Sequence, residues 1–180
     1  MLHLGFANSG AVSEAEQFGQ YVIEKHDDGR PWELGRGAMG VTSRAMDSIL
    51  QRAVALKVIG FERTPNAEAA RERFLREARA AAALRHPNIA TVYQFGIHEE
   101  SGQCFYAMEL IEGETLEERV RRKGPLDVAT TIETARPISL ALGAAEARGL
   151  VQRDIKTAHL VLIGSGNAFT VKVIDFGWAI

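Results

Sequence analysis

The sequence predicts an α+β fold in which a mainly β first half is followed by a mainly helical second half. Short apolar runs separated by polar turns recur between residues 21 and 110, and one helical segment at 64–84 interrupts them. A second helical segment at 127–149 then precedes two apolar runs, 160–163 and 171–174. The polar, glycine-containing stretch that joins these two runs predicts a β-hairpin.

Composition narrows the class of protein. The 180 residues are 46% hydrophobic, enough for one domain or two small lobes. A net charge of -2 gives no reason to expect binding to nucleic acid or a membrane surface. The one cysteine, Cys104, excludes an intrachain disulfide and fits the reducing cytoplasm, where we expect the protein. No apolar run reaches the roughly 18 residues of a membrane helix, and the N-terminus lacks a signal-peptide pattern.

A glycine-rich stretch is the first candidate site. Gly35, Gly37 and Gly40 are spaced as G-x-G-x-x-G, letters that also occur in dinucleotide-binding folds, where the third glycine opens a helix. Here the next residues, Val41-Thr42-Ser43, are poor helix starters, which favours a strand, a glycine loop and a second strand. Backbone N–H groups of such a loop can lie close to phosphates, because no Cβ obstructs the approach.

A lysine and a glutamate follow in the next two elements. Val54-Ala55-Leu56-Lys57 predicts a buried strand, and a lysine among apolar neighbours needs a partner or a route to solvent. Thr64 and Pro65 are start signals for the helix at 64–84, and Glu77 lies near its apolar face. On these residues alone, Lys57 could also be a strand-edge lysine, and Glu77 an ordinary surface glutamate.

Two further strands are expected at 91–97 and 103–110, and the second ends in Met108-Glu109-Leu110-Ile111. A methionine in such a strand is more often plain core than part of a site. A capping box of Thr115 and Glu118 predicts the start of a short helix. The helix at 127–149 contains Pro137, which should remove a hydrogen bond and produce a kink.

Two clusters in the last quarter of the chain carry the most specific signal: Arg153-Asp154-Ile155-Lys156 and Asp175-Phe176-Gly177. The expected hairpin would hold one carboxylate at each end, which suits metal and phosphate chemistry. In this order, after a glycine loop and a strand lysine, the clusters resemble those of bacterial eukaryotic-type (Hanks-type) serine/threonine protein kinases. The resemblance implies a protein-kinase-like fold: a five-stranded antiparallel N-lobe sheet with one helix, then an incomplete, mainly helical C-lobe containing the catalytic-loop hairpin.

The resemblance also implies an enzyme that uses ATP and Mg²⁺ to phosphorylate serine and threonine hydroxyls of protein substrates. Asp154 would accept the hydroxyl proton, Lys156 would steady the transferring phosphate, and Asp175 would bind Mg²⁺. Lys57 would hold the α- and β-phosphates and pair with Glu77. The other residues implied to contact the nucleotide are Leu34, Gly35, Gly37, Gly40, Ala55, Met108, the backbone of Glu109 and Ile111, and Val161.

Departures from the family pattern leave alternatives open. Gln152 stands where the family has histidine, Thr157 where it usually has proline, and Thr42 where a valine covers adenine. His159 occupies the position of an asparagine that binds a second Mg²⁺. Imidazole is a poor ligand for this ion, so we expect this metal site to be weakened or lost. A nucleotide-binding pseudokinase and an inactive remnant therefore stand beside an active kinase as interpretations.

The expected domains are a leader of unclear role at 1–31, with a short strand at Tyr21-Val22-Ile23, and a partial kinase domain at 32–180. The N-lobe would extend to residue 112 and the C-lobe would begin at 113. Because the sequence stops three residues after the Asp-Phe-Gly motif, we expect a missing activation segment, exposed apolar surface on the 127–149 helix and impaired activity. The sequence carries no signal for the oligomeric state.

Overall fold

A seven-stranded antiparallel sheet forms the first half of the structure, a computed structural model that describes residues 16–37, 40–61, 66–152, 154–165 and 168–174. Its strands are β1 (Gln17–Phe18), β2 (Tyr21–Ile23), β3 (Glu33–Gly37), β4 (Gly40–Asp47), β5 (Arg52–Ile59), β6 (Val92–Ile97) and β7 (Cys104–Glu109). They lie in the order β1-β2-β4-β5-β7-β6, and β3 also pairs with β4. The strand predicted at Tyr21-Val22-Ile23 and the strands predicted around the glycine loop are confirmed.

The sheet has two strands more than the five expected, because β1 and β2 pair into it. β2 and β3 lie along the same edge of β4. The residues that flank β2 and β3 both bond to Arg44 of β4. The N–H of Glu24 donates to the carbonyl of Arg44 (3.0 Å), and the N–H of Arg44 donates to the carbonyl of Trp32 (2.8 Å). Between these bonds the chain leaves the sheet as a loop closed by a bridge between Lys25 and Pro31. Strands β2 and β3 therefore act as one strand along β4 that is interrupted by the 25–31 loop.

Helix α1 (Ala67–Ala82) begins later than the sequence signals predict. Its N-cap is Asn66, whose side-chain oxygen accepts a hydrogen bond from the N–H of Ala69 at 3.3 Å. Thr64 and Pro65, the predicted start, lie outside the described residues. An asparagine satisfies an otherwise unpaired donor of the first turn and tolerates the left-handed backbone found at this position.

The two faces of the sheet carry separate apolar clusters, because successive side chains of a strand point to opposite faces. The cluster on the face that α1 covers contains Ala55, Phe74, Ala78, Tyr106 and Met108. The cluster on the other face contains Phe18, Tyr21, Val54, Leu56 and Phe105. Phe18 of β1 and Tyr21 of β2 belong to this second cluster, so the leader strands contribute to the core on the face opposite α1.

A buried carboxylate holds the turn between β4 and β5. The side chain of Asp47 is fully buried, and its Oδ1 accepts bonds from the side chain of Gln20 (2.8 Å) and the N–H groups of Leu50 (3.0 Å) and Ile49 (3.2 Å). Its Oδ2 lies 3.7 Å from Nε of Arg52. Burial by itself raises the pKa of Asp47, but these hydrogen bonds and the charge of Arg52 together bring it below the usual value.

The second half contains two helices, α2 (Leu116–Lys123) and α3 (Val128–Glu146), and a three-stranded antiparallel sheet of β8 (Glu114–Thr115), β9 (Leu160–Ser165) and β10 (Ala168–Val173). The predicted capping box of α2 is confirmed. Thr115 Oγ1 accepts from the N–H of Glu118 at 3.1 Å, and the Glu118 carboxylate accepts from the N–H of Thr115 at 2.9 Å. The predicted hairpin is also confirmed, but its strands extend into the stretch predicted as their connection.

Helix α3 continues through Pro137, although this residue lacks the N–H that would bond the carbonyl of Glu133. The helix ends at Glu146, and the predicted stop at Gly149 forms the turn that follows. There the N–H of Gly149 donates to the carbonyl of Glu146 (2.8 Å), at a positive φ of 72° that favours glycine.

Three large apolar side chains of α3 are exposed, as expected for this helix. Val128, Ile132 and Leu140 are 77%, 62% and 60% exposed. Within the described ranges, none of the helices combines the length and apolar character that a membrane crossing requires.

Replacing Asp47 with alanine should lower the free energy of unfolding by about 1–3 kcal/mol, because three donors lose their acceptor. Urea unfolding at pH 7 measures this loss, and Asp47→Asn, which keeps one acceptor oxygen, should cost less. The folded-state pKa of Asp47 is lowered, so its contribution is complete above the ordinary carboxyl pKa and is lost as pH falls below about 4. The gap between the wild type and Asp47→Asn should therefore narrow in acid; a pH-independent gap would contradict this account.

Candidate active site

The glycines of the β3–β4 hairpin differ in how strongly the fold requires them. Gly40 has no room for a side chain, because an added Cβ would lie 1.9 Å from the carbonyl oxygen of Val58. At Gly35 and Gly37 an added Cβ would meet no atom of the described chain within 4 Å, and neither residue has a positive φ. Packing therefore requires glycine at 40, whereas at 35 and 37 the described structure would accommodate a side chain.

Strand β5 carries two of the expected nucleotide-site residues, Ala55 and Lys57, and β7 carries two more, Met108 and Glu109. Ala55 pairs in register with Met108, and both are buried on the face of the sheet that α1 covers. Lys57 has Thr42 beside it on β4 and Tyr106 on β7. The Lys57 ammonium lies 5.9 Å from the centroid of the Tyr106 ring, within reach of a favourable cation–π contact.

The expected catalytic residues lie in a loop before a short 3₁₀ turn, Thr157–His159. Lys156 Nζ is 2.8 Å from Asp154 Oδ2, and the two side chains are 52% and 54% exposed. The side-chain oxygen of Gln152 accepts a hydrogen bond from the N–H of Asp154 at 3.1 Å. The residue that replaces the family's histidine thus supports the loop through an amide group.

The charge environment of Asp154 links the loop to the sheet. The hydrogen bond from Lys156 holds the pKa of the Asp154 carboxyl below its usual value, and the charges of Lys156, His159 and Lys57 act in the same direction. Lys57 belongs to β5, so its charge acts on the loop carboxylate from the first half of the structure. We call the region between Lys57 on the sheet and Asp154 in the loop the cleft. The lowered pKa keeps Asp154 ionised at neutral pH.

His159 supports the catalytic loop through hydrogen bonds of its ring and its backbone. Its Nδ1 lies 2.9 Å from the carbonyl oxygen of Asp154, and a carbonyl can only accept, so Nδ1 is the donor. The carbonyl of His159 accepts from the N–H of Ile174 at 3.0 Å. The ring is largely buried. His159 thus ties the backbone of the catalytic loop to the residue that follows β10.

Glu109 ends β7 at the connection between the two halves. Its N–H donates to the carbonyl of Thr91 at 2.8 Å, so this N–H is already engaged. Its carboxylate accepts the N–H of Thr91 through Oε2 at 3.2 Å and forms an ion pair with Lys172 of β10 through Oε1. Glu109 and Lys172 side chains are 26% and 18% exposed.

The segment after α1 also bonds directly to β10. The side-chain amide of Asn88 donates to the carbonyl of Val171 (2.8 Å), and the N–H of Val173 donates to the carbonyl of Asn88 (2.9 Å). The N–H of Ala90 donates to the carbonyl of Val173, also at 2.9 Å. Asn88 and Ala90 thus attach the segment after α1 to β10.

The remaining expected site residues are only partly described. Leu34 is 45% exposed on β3, and Val161 is buried on β9, where it pairs with Thr115. Arg153, Asp175 and the side chain of Glu77 lie outside the described residues, so the expected Lys57–Glu77 pair and the Mg²⁺ ligand stay predictions. Among the described residues, His, Cys, Asp and Glu side chains form no group of three that could hold a metal ion.

Lys172 and Thr91 are absent from the sequence predictions. The sequence does contain a signal for Lys172, because it stands alone between Val171 and Val173 in an apolar strand. The same pattern drew attention to Lys57. Thr91 contacts Glu109 through its backbone N–H and carbonyl, so the type of residue at this position gives no signal of the contact.

Comparisons with known proteins agree with this geometry. The model of the protein kinase domain family matches residues 30–180. The serine/threonine-protein kinase PknD of Mycobacterium tuberculosis (strain CDC 1551 / Oshkosh) is 36% identical over 172 residues, which is 95% of this chain and 24% of PknD. The serine/threonine-protein kinase PrkC of Bacillus subtilis (strain 168) is 38% identical over 146 residues, 81% of this chain and 22% of PrkC. The chain spans about a quarter of the length of these relatives.

Solved structures share the fold. The crystal structure of the Mycobacterium tuberculosis PknI kinase domain aligns with a TM-score of 0.75 at 28% identity, covering 94% of this chain and 64% of that one. The crystal structure of Rad53 1-466 in complex with AMP-PNP has a TM-score of 0.72 at 22% identity, covering 88% of this chain and 38% of that one, and shows agreement in fold. The expected kinase-like fold is confirmed. This chain belongs to the protein kinase domain family, and its relatives are bacterial eukaryotic-type serine/threonine protein kinases.

Proposed function

We propose that this chain binds Mg²⁺ and ATP in the cleft and transfers the γ-phosphoryl group to serine or threonine hydroxyls of protein substrates. Gly35 and Gly37 carry this proposal. The fold leaves room for a side chain at both positions, whereas a phosphate chain lying against β3 would not. The activity named for the relatives and the AMP-PNP bound to Rad53 support the same ligand.

Lys57 is the residue best placed to hold the phosphates. It is a cation on the sheet, near the glycine strands, and its field reaches Asp154. Glu77 on α1 is its proposed partner. The groups proposed to contact adenine are Leu34, Ala55, Met108, Val161, the carbonyl of Glu109 and the backbone of Ile111. For Glu109 we propose that the carbonyl contacts adenine, because its N–H already donates a hydrogen bond to the carbonyl of Thr91.

Asp154 and Lys156 would act on the reacting groups. Because its pKa is lowered, Asp154 is an ionised but weak base, so its main effect would be to orient the substrate hydroxyl and accept its proton as the new bond to phosphorus forms. Lys156 would stabilise the charge on the transferring phosphoryl group. A lysine two residues after the aspartate is typical of the serine/threonine-specific branch of the family.

The donor set fits one Mg²⁺ better than two. Asp175 would supply the hard carboxylate oxygen that this ion prefers, and the bound ion would neutralise charge on the phosphates. At the second position, His159 offers an imidazole whose Nδ1 is already bonded to the Asp154 carbonyl. We therefore propose that His159 braces the loop and that the second metal site is weakened.

A nucleotide-binding pseudokinase is the second candidate. The engagement of His159 with the loop backbone favours it, because the family's amide oxygen is missing where the metal would bind. Such a protein would keep the nucleotide site and act on a protein partner through its shape. We place either activity in the cytoplasm and expect no nucleic-acid ligand, given the net charge of -2. The proposed domain division stays at residue 112, with the N-lobe before it and the C-lobe after it.

Gly35→Ala and Gly37→Ala should each weaken Mg²⁺·ATP binding about tenfold, which corresponds to about 1.4 kcal/mol. Both variants should unfold like the wild type without nucleotide, within about 0.5 kcal/mol. Gly40→Ala should destabilise the nucleotide-free chain, because its Cβ would overlap the carbonyl of Val58. Calorimetric titration measures the affinity, urea unfolding the stability, and Lys57→Met serves as the loss-of-binding control. Wild-type affinity in the Gly35 and Gly37 variants would refute the proposal.

His159→Asn should increase Mg²⁺-dependent phosphoryl transfer about tenfold, because an amide oxygen replaces the imidazole at the second metal position. His159→Ala is the matched control, since it removes the ring without supplying that oxygen, and it should not gain activity. Transfer of radiolabelled phosphate to a serine-containing protein, measured across Mg²⁺ concentrations, gives the readout. Measurable and equal transfer by the wild type and His159→Asn would mean that the weakened second metal site is wrong. ATP binding without transfer in both would favour the pseudokinase.

A further inference from the structure

The ion pair between Glu109 and Lys172 joins the two halves of the structure. Glu109 ends β7 of the first half, and Lys172 lies on β10 of the second, 63 residues further along the chain. Their side chains are 26% and 18% exposed, so water screens the two charges only weakly. Both oxygens of the carboxylate are used, because Oε2 also accepts the N–H of Thr91 at 3.2 Å.

The two ends of this pair lie next to the two parts of the proposed nucleotide site. The backbone of Glu109 begins the 109–111 segment that is proposed to contact adenine. Lys172 precedes Asp175, the proposed Mg²⁺ ligand, by three residues. A shift of β10 relative to β7 would therefore move the backbone of Lys172 relative to the backbone proposed to contact adenine.

Backbone hydrogen bonds also hold the chain at Glu109 and next to Lys172. The N–H of Glu109 is bonded to the carbonyl of Thr91, and the N–H groups of Ala90 and Val173 continue the connection to β10. A largely buried carboxylate that loses its cation must find water, and doing so would pull on a backbone that is hydrogen-bonded on either side. The ion pair thus acts on backbone position as well as on stability.

We propose that Glu109 and Lys172 form a clasp that positions the 109–111 backbone for nucleotide binding, an inference that rests on the proposed ATP site. The two side chains are positioning residues, since the clasp acts through the backbone of the 109–111 segment. Lys172 holds the clasp closed through its charge. Glu109 contributes its carboxylate to the clasp, and its own backbone is part of the segment that the clasp positions.

A second ion pair of the same chemistry provides a control. Arg122 donates to Glu114 through Nε at 2.8 Å and Nη2 at 2.6 Å, and the side chains are 55% and 30% exposed. Both residues lie in the second half and are only eight positions apart. Losing this pair should leave the relation between β7 and β10 unchanged.

The test compares Lys172→Met, Glu109→Gln and the double variant with Arg122→Met in the full chain. Hydrogen exchange without nucleotide reports on the amides of residues 109–111, and calorimetric titration with Mg²⁺·ADP reports on affinity. Lys172→Met should speed exchange at 109–111 about tenfold and weaken ADP binding about tenfold. The double variant should be no worse than the single ones, because the two groups act as a pair. Arg122→Met should match the wild type in both.

Unchanged exchange at 109–111 in Lys172→Met would overturn the clasp, and so would faster exchange with unchanged ADP affinity. If the wild type binds no Mg²⁺·ADP, the proposed function itself fails, and the exchange comparison alone then decides whether the clasp exists. Faster exchange across the whole chain would identify the pair as a general stabilising contact, which also contradicts the proposal.

Discussion

The contacts between residues 88–91 and β10 are the constraint on which the cleft depends. Asn88, Ala90 and Val173 exchange backbone and amide hydrogen bonds there, and the Glu109–Lys172 pair adds a weakly screened charge interaction. Such bonds are costly to leave unmade once water is excluded, so the two halves are held in one relation. This relation sets where the catalytic loop of the second half lies relative to the proposed nucleotide contacts of the first half.

The charges of the cleft depend on the same relation. Lys57 comes from the sheet and Lys156 from the loop, and both lower the pKa of Asp154. These two lysines are the cationic groups that a polyphosphate ligand would contact. His159 and Gln152 fix the backbone of the loop at Asp154, so this carboxylate is held in place even though its side chain is half exposed. The replacements in this loop are therefore compatible with a formed catalytic loop.

Local patterns predicted much of this fold, and long-range pairing accounts for what they missed. The strand of Lys57 and the capping box of α2 depend on neighbouring residues, so periodicity and spacing were sufficient. Strands β2 and β3 can pair with the same edge of β4 only because the 25–31 loop leaves the sheet between them. No local sequence pattern indicates this arrangement. The partner of Lys172 lies 63 positions away. The glycines share one motif, and only the backbone around them separates Gly40, which packing requires, from Gly35 and Gly37.

Amide NMR spectra of the isotope-labelled chain, titrated with Mg²⁺·ADP, would show whether the glycine strands, the 109–111 segment and the catalytic loop bind one nucleotide together. We expect saturable shifts at Gly35, Gly37, Lys57 and Ile111. Tyr21, on the opposite face of the sheet, should change little. Saturable shifts confined to other surfaces, or none at millimolar nucleotide, would contradict this expectation.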